Sequence, residues 1–209
     1  MKNIRKEIAL WVQVGTFLVV WTVILFFSGV EFKINWEALN TLPHAIAVYS
    51  ILLLVFTTWL WRLPLFQGWL VPYPDLEGTW TGTLESTWVD PGTGQRKAPL
   101  PIVLVIKQSF STLGCVMYSE ESTSFSNAAQ ISTDDEDGIL RLSYNYTNRP
   151  NASVRDRSEI HDGAAILRVI TGTRRALEGE YWTSRKTTGD MRLSFRSRKL
   201  TASFSTSGV

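Results

Sequence analysis

The sequence predicts a membrane helical hairpin followed by an all-β domain, an eight-stranded up-and-down antiparallel β-barrel. Three observations carry this expectation. Two apolar runs of membrane-spanning length occupy the first third of the 209 residues. A proline-punctuated segment then ends the helical pattern. Eight runs of β character follow, most of them separated by short turns rich in Gly, Pro, Asp and Asn. The expected organisation is a hairpin over 1–63, a Pro-rich linker over 64–76 and a β domain over 77–209.

The first run, Ile8 to Ser28, has no ionisable group after Glu7. About 20 apolar residues suffice to cross a hydrocarbon core of roughly 30 Å. Leu42 to Trp61 is the second such run, and Trp11, Trp36, Trp59, Trp61 and Trp69 lie near the ends, where amphipathic rings prefer the headgroup level. A cleaved signal peptide is the rival for the first run, but its apolar stretch is too long and no small-x-small cleavage site follows. Lys2, Arg5 and Lys6 precede the first span and Arg62 follows the second, whereas the loop from Gly29 to Thr41 has Lys33 against Glu31 and Glu37. Positive flanks stay inside, so both termini are expected in the cytoplasm of a multi-pass inner-membrane protein. Gln13 and His44 are the polar oddities within the spans; Gly15 and Thr16 are small enough for close helix contact, without a GxxxG pattern.

Pro64 and Pro72-Tyr73-Pro74 predict an extended hinge, because proline fixes φ and disfavours helix in the residue before it. From Glu77 to Trp88 the side chains alternate, with Trp80, Gly82, Leu84, Ser86 and Trp88 on one face. The seven further runs are Leu100–Gln108, Leu113–Glu121, Ser124–Ser132, Gly138–Thr147, Gly163–Ile170, Ala176–Ser184 and Asp190–Arg198. Turns are expected at Asp90-Pro91-Gly92, Asp137-Gly138, Asn148-Arg149-Pro150, Thr171-Gly172 and Thr188-Gly189. No amphipathic helix interrupts the strands, which argues against a βαβ sheet. A closed barrel removes the edges an open sheet would expose, and eight strands leave room for packed side chains or one small ligand. Gly78-Thr79-Trp80 is similar to the first strand of lipocalin-like barrels, with Trp80 as a plug at the base. A β-sandwich is the alternative architecture.

Catalytic signatures are missing. The chain has two histidines and a single cysteine, Cys115, so it can form no internal disulfide. It has no HExxH, GxSxG, phosphate loop or Cys/His zinc spacing, and neither enzymatic activity, a cofactor nor a metal is expected. His161, beside Asp162-Gly163, reads as a turn residue. Asp134-Asp135-Glu136-Asp137 lacks EF-hand spacing and reads as a solvated hairpin tip. The net charge of +2 is too small for bulk DNA or RNA binding.

Binding is the chemistry that remains. If the first strand runs away from the membrane, alternation assigns the first–second, fifth–sixth and seventh–eighth loops to the far end. These carry Arg96 and Lys97, then Arg149, Arg155 and Arg157, then Arg185 and Lys186, close to Tyr181, Trp182 and Thr183. Guanidinium groups and hydroxyls suit phosphate, and aromatic faces suit bases. The bland alternative is a set of ordinary solvated loop charges. The candidate ligand contacts are Tyr181, Trp182, Thr183, Arg185, Lys186, Arg192, Lys107 and Arg157.

The order of parts carries a resemblance. Two membrane helices, a Pro-rich hinge, Pro74-Asp75-Leu76-Glu77-Gly78-Thr79-Trp80, an apolar strand ending Lys107-Gln108, and the stretch from Gly179 through Tyr181-Trp182-Thr183-Ser184-Arg185-Lys186 to Gly189 span nearly the whole chain. In these the chain resembles the two-transmembrane β-barrel effectors of bacterial CBASS anti-phage systems, the SMODS-associated two-transmembrane β-strand-rich family. The resemblance implies a barrel that binds a cyclic dinucleotide made by a partner cGAS/DncV-like nucleotidyltransferase. It also implies a homo-oligomer that forms through the membrane helices, disrupts the inner membrane and kills the infected cell. The competing expectations are a membrane-tethered carrier of a small apolar ligand and an interaction protein with a solid barrel.

Overall fold

The computed structural model describes residues 6–33, 35–133 and 138–204. The chain divides at Pro74 and Asp75 into two compact units. In the first, helix α1 (Lys6–Ser28) and helix α3 (Leu42–Thr58) are each part of a segment long and apolar enough to cross a membrane. They pack on one another through an edge-on Phe17–Tyr49 ring contact and a hydrogen bond donated by Trp21 Nε1 to Thr41 Oγ1 at 3.0 Å. Between them lies a helix the sequence reading did not anticipate, α2 (Trp36–Asn40), capped by Asn35, whose side chain accepts from Ala38 N at 2.8 Å. An Asx cap satisfies an otherwise orphaned N–H at the first turn. Gly15 and Gln13 lie on the exposed side of α1, with open space where a Gly15 side chain would be.

The second span ends earlier than expected. α3 stops at Thr58, and Leu60–Arg62 and Pro64–Phe66 form two short 3-10 turns in place of a continuous helix and an extended hinge. Pro64 opens the second turn at a position where its missing N–H costs nothing.

From Asp75 onward the chain is an eight-stranded antiparallel barrel, closed in simple sequence order: β1 (Gly78–Ser86), β2 (Leu100–Gln108), β3 (Leu113–Tyr118), β4 (Ser122–Thr133), β5 (Leu140–Pro150), β6 (His161–Ile170), β7 (Ala176–Thr183) and β8 (Thr188–Ser197). β1 pairs with β8 from Thr79↔Ser197 to Ser86↔Gly189, which removes both sheet edges. Each expected run is present, with three corrections. Asn148-Arg149-Pro150 belongs to β5, paired with Ser124, Thr123 and Ser122. Pro150 is tolerated because it is the last residue of its strand, where a missing donor matters least. His161 is the first residue of β6, opposite Asn148, and not part of a turn. Thr188 and Gly189 open β8.

We call the end where β1 begins the floor and the end where it finishes the rim. The floor is apolar and filled. Trp80 is fully buried and donates from Nε1 to Leu76 O at 3.0 Å, and its ring meets Phe195 edge-on at 5.2 Å. The Arg175 guanidinium caps both rings, 4.1 Å from the Phe195 centroid and 5.2 Å from that of Trp80. It also donates to Asp75 O at 2.6 Å, while Arg198 pairs with the Asp75 carboxylate at 2.7 Å. Gln108 Oε1 accepts from Leu76 N at 2.7 Å, so residues 75–77 are stapled to the floor. Leu104, Leu142, Leu167, Leu177 and Leu193 pack above it, all essentially fully buried. Replacing Trp80 with Ala leaves a large void among side chains held by the closed wall. The Trp80→Ala protein is expected to lose about 3–5 kcal/mol of stability in denaturant titrations of the full chain in detergent.

Candidate functional site

The rim differs chemically from the floor. Strand alternation turns Tyr144, Tyr146 and Asn148 of β5, Tyr181 and Thr183 of β7, and Ser124 of β4 toward the barrel axis, and all six are buried. Two glycines set the positions of the aromatic rings. A Cβ on Gly163 would fall 2.6 Å from Tyr146 Cζ and Oη, and one on Gly189 would fall 2.7 Å from Tyr181 Cε1. Each glycine is the cross-strand partner of its tyrosine, so each ring lies down across a bare stretch of wall. Burial raises the Tyr181 phenol pKa, against the opposing pull of the Ser86 side chain and of Arg185. Burial likewise raises Tyr146, reinforced by Tyr181. One rung toward the floor, the Tyr144 hydroxyl is buried with no hydrogen-bond partner among the described residues. An unmade bond of this kind costs about 1–3 kcal/mol. Near it the Cys115 thiol is pushed up to about 12 by burial and is inert as a nucleophile.

Above this tier, the β7–β8 connection is a tight turn. Thr183 N donates to Thr187 O at 2.9 Å and Lys186 N to Thr183 O at 3.1 Å, with the two threonine hydroxyls 2.6 Å apart. Lys186 closes the turn at φ 62°, a left-handed conformation that costs a residue with a Cβ roughly 1 kcal/mol. Arg185, at the tip, donates to Ser158 Oγ at 3.2 Å across the mouth. Of the eight candidate contacts, the structure therefore gathers Tyr181, Thr183, Arg185 and Lys186 at the rim. Arg157 is there too, in the β5–β6 connection, but it is ion-paired with Glu121, which also takes Lys97 at 3.6 Å. The rim loops carry Asp90, Glu120, Asp156 and Glu159 as well, so the mouth is a mixed-charge surface and not the cationic ring that counting arginines predicts.

The remaining three candidates face away from the barrel axis. Trp182 lies between two inward residues, so the period of two turns it outward, 42 % exposed. Arg192, between inward Met191 and Leu193, pairs on the outer wall with Glu85 at 2.8 Å. Lys107, between inward Ile106 and Gln108, is exposed near the floor. Sequence reading did not single out Tyr144, Tyr146, Asn148 or Ser124, and it read His161 as a turn residue. The findable signal was the alternation Leu142-x-Tyr144-x-Tyr146-x-Asn148, aromatic and polar residues on what is otherwise a core face. The acidic run 134–137 lies outside the described residues, as do the N-terminal charges Lys2 and Arg5.

His161 sits at the same mouth. Its Nδ1 is 2.8 Å from Glu159 O, and since a carbonyl only accepts, the proton is on Nδ1. Burial lowers its pKa, aided by Arg185 and opposed by the Glu159 carbonyl and by Asp162. The unfolded chain therefore takes up this proton first as pH falls. Stability conferred by the neutral imidazole is present above pH 6.5 and declines below it, toward the lowered folded value. The thermal midpoint is expected to drop between pH 7 and about 5.5, and His161→Gln to flatten that dependence relative to wild type.

The comparisons with known proteins agree with this architecture. A family model described as "Cap15, cyclic dinucleotide receptor domain" matches residues 71–194, from the end of the linker to the middle of β8. CD-NTase-associated protein 15 of Staphylococcus schleiferi is 28 % identical over 179 residues, covering 83 % of this chain and 91 % of that protein. The protein of the same name from Escherichia albertii is 26 % identical over 165 residues, covering 78 % and 81 %. With a closed eight-stranded barrel, a polar tyrosine-lined rim and two helices of membrane-spanning length, the chain belongs to the Cap15 cyclic dinucleotide receptor family of CBASS effectors.

Proposed function

We propose that the rim end of the barrel binds a cyclic dinucleotide, and that binding drives the protein to oligomerise in the inner membrane and breach it. The observation that carries the reading is the arrangement at the β7–β8 turn. Arg185 stands above a tier of hydroxyls and two tyrosine rings laid against the wall. These aromatic side chains are suited to stack on a base, and each such stack is worth about 1–3 kcal/mol. Guanidinium and hydroxyl donors around the mouth suit phosphate. Tyr181, Thr183, Arg185, Lys186 and Arg157 are the proposed contacts from the sequence reading. Tyr146 joins them, while Trp182, Arg192 and Lys107 take no part in this reading.

The hairpin is the output element. Both termini lie in the cytoplasm in this reading, which exposes the barrel to a messenger made there by a cognate nucleotidyltransferase. The ligand can shift assembly only by its preference for the assembled state, and it undergoes no chemistry. The packed leucine floor and polar rim disfavour the alternative, a carrier of an apolar molecule, whose mouth would be hydrophobic.

The test uses the full chain in dye-loaded vesicles of anionic lipid. A cyclic dinucleotide is expected to bind and to release dye, and Arg185→Glu to weaken binding by at least about tenfold. Binding without leakage would remove the membrane step, and no binding across a panel of cyclic dinucleotides would remove the receptor step. Glu121→Gln frees Lys97 and Arg157 from their shared carboxylate. It is expected to raise affinity a few-fold at low salt, with the gain fading as salt is added.

A further inference from the structure

Asn148 and His161 are directly opposed across the β5–β6 ladder, with both side chains turned inward at the mouth. Each is fixed by one neighbour. Ser124 Oγ donates to Asn148 Oδ1 at 2.9 Å, with Ser124 2 % and Asn148 8 % exposed. In this arrangement the amide oxygen is taken and the Nδ2 hydrogens remain as donors. Glu159 O, an acceptor, holds the proton on His161 Nδ1 and leaves Nε2 as a lone-pair acceptor in the neutral ring. Among the described residues no hydrogen bond claims Asn148 Nδ2 or His161 Nε2. The two strands thus present one donor and one acceptor side by side, the polarity of the imidazole set from behind by the Glu159 carbonyl.

We propose that Asn148 and His161 form a base-edge reader, donating to a ring nitrogen or carbonyl and accepting from the adjacent N–H of one base of the bound cyclic dinucleotide. A donor next to an acceptor is the complement of a nucleobase's Watson–Crick edge, and bidentate contact of this kind is how proteins discriminate bases. Phosphate contacts such as that proposed for Arg185 position a ligand without reading its bases. Ser124 is a positioning residue, because its buried hydroxyl anchors the Asn148 amide against the wall. His161 performs this role as the neutral ring, the form its burial favours.

This inference rests on the receptor reading, and one experiment separates the two. Full-length protein in detergent is titrated calorimetrically with a panel of 3′–5′-linked cyclic dinucleotides carrying adenine, guanine and uracil in all pairings, at two salt concentrations. Wild type is expected to rank the panel. Asn148→Leu and His161→Phe, both near-isosteric, are expected to weaken the preferred ligand by about tenfold and to compress the ranking, with the salt dependence unchanged. Arg185→Gln is expected to weaken all ligands alike and to flatten the salt dependence. Ser124→Ala, a milder change whose folding is checked by thermal midpoint, is expected to compress the ranking part-way. An unchanged ranking in the Asn148 and His161 variants, whatever their absolute affinity, overturns the base reader and leaves the receptor intact. A wild type that binds no member of the panel overturns both.

Discussion

Hydrogen bonding between β1 and β8 is the constraint on which the other features depend. Once the sheet closes on itself, every second side chain is committed to an interior of fixed width and the others to the outside. Large aliphatic residues and Trp80 use up the lower half of that interior. The upper half is mixed: β5 and β7 supply tyrosines, an amide and a threonine beside Leu84, Met117 and Met191, and Gly163 and Gly189 give up their side chains to the rings opposite. Closure also converts sequence order into a circle, so connections far apart in the chain, such as the β3–β4 and β5–β6 links, meet at one mouth. Glu121 reaching both Lys97 and Arg157 is a direct result.

Much of this was legible in the sequence. Length and hydropathy marked the two helices of membrane-spanning length, and period-two alternation bounded by Gly, Pro and Asp turns marked all eight strands. The short connections gave their up-and-down order. The errors have local causes. α2 depends on a single Asn35 cap over five residues, too short to leave a periodic signal. Pro150 reads as a turn former but tolerates a terminal strand position. At the site, contiguity misled. Tyr181, Trp182 and Thr183 are neighbours in sequence, yet the pleat divides them between the two faces of the wall. Counting loop cations placed them at one mouth without revealing its charge balance, since the carboxylate that holds two of them comes from a different connection. That Asn148 and His161 are opposed across a ladder depends on register, which the sequence does not display.

The physical picture is of a receptor whose specificity and attraction are separable. In the proposed reading, Arg185 and its neighbours in the loops hold an anion at the mouth, and groups on the strand ends discriminate what has arrived. Those groups are positioned by partners that are themselves buried or part of the backbone, as Ser124 and the Glu159 carbonyl are. Little reorganisation is then required when a ligand docks, which favours affinity from a small surface.

A floor filled by Trp80, Phe195, Leu76 and the Arg175 guanidinium gives the barrel the form of a cup and not of a tube. A solute that enters between the loops must leave between them. Arrival and departure therefore share one doorway, and how long an occupant dwells is governed by the same few side chains that admitted it.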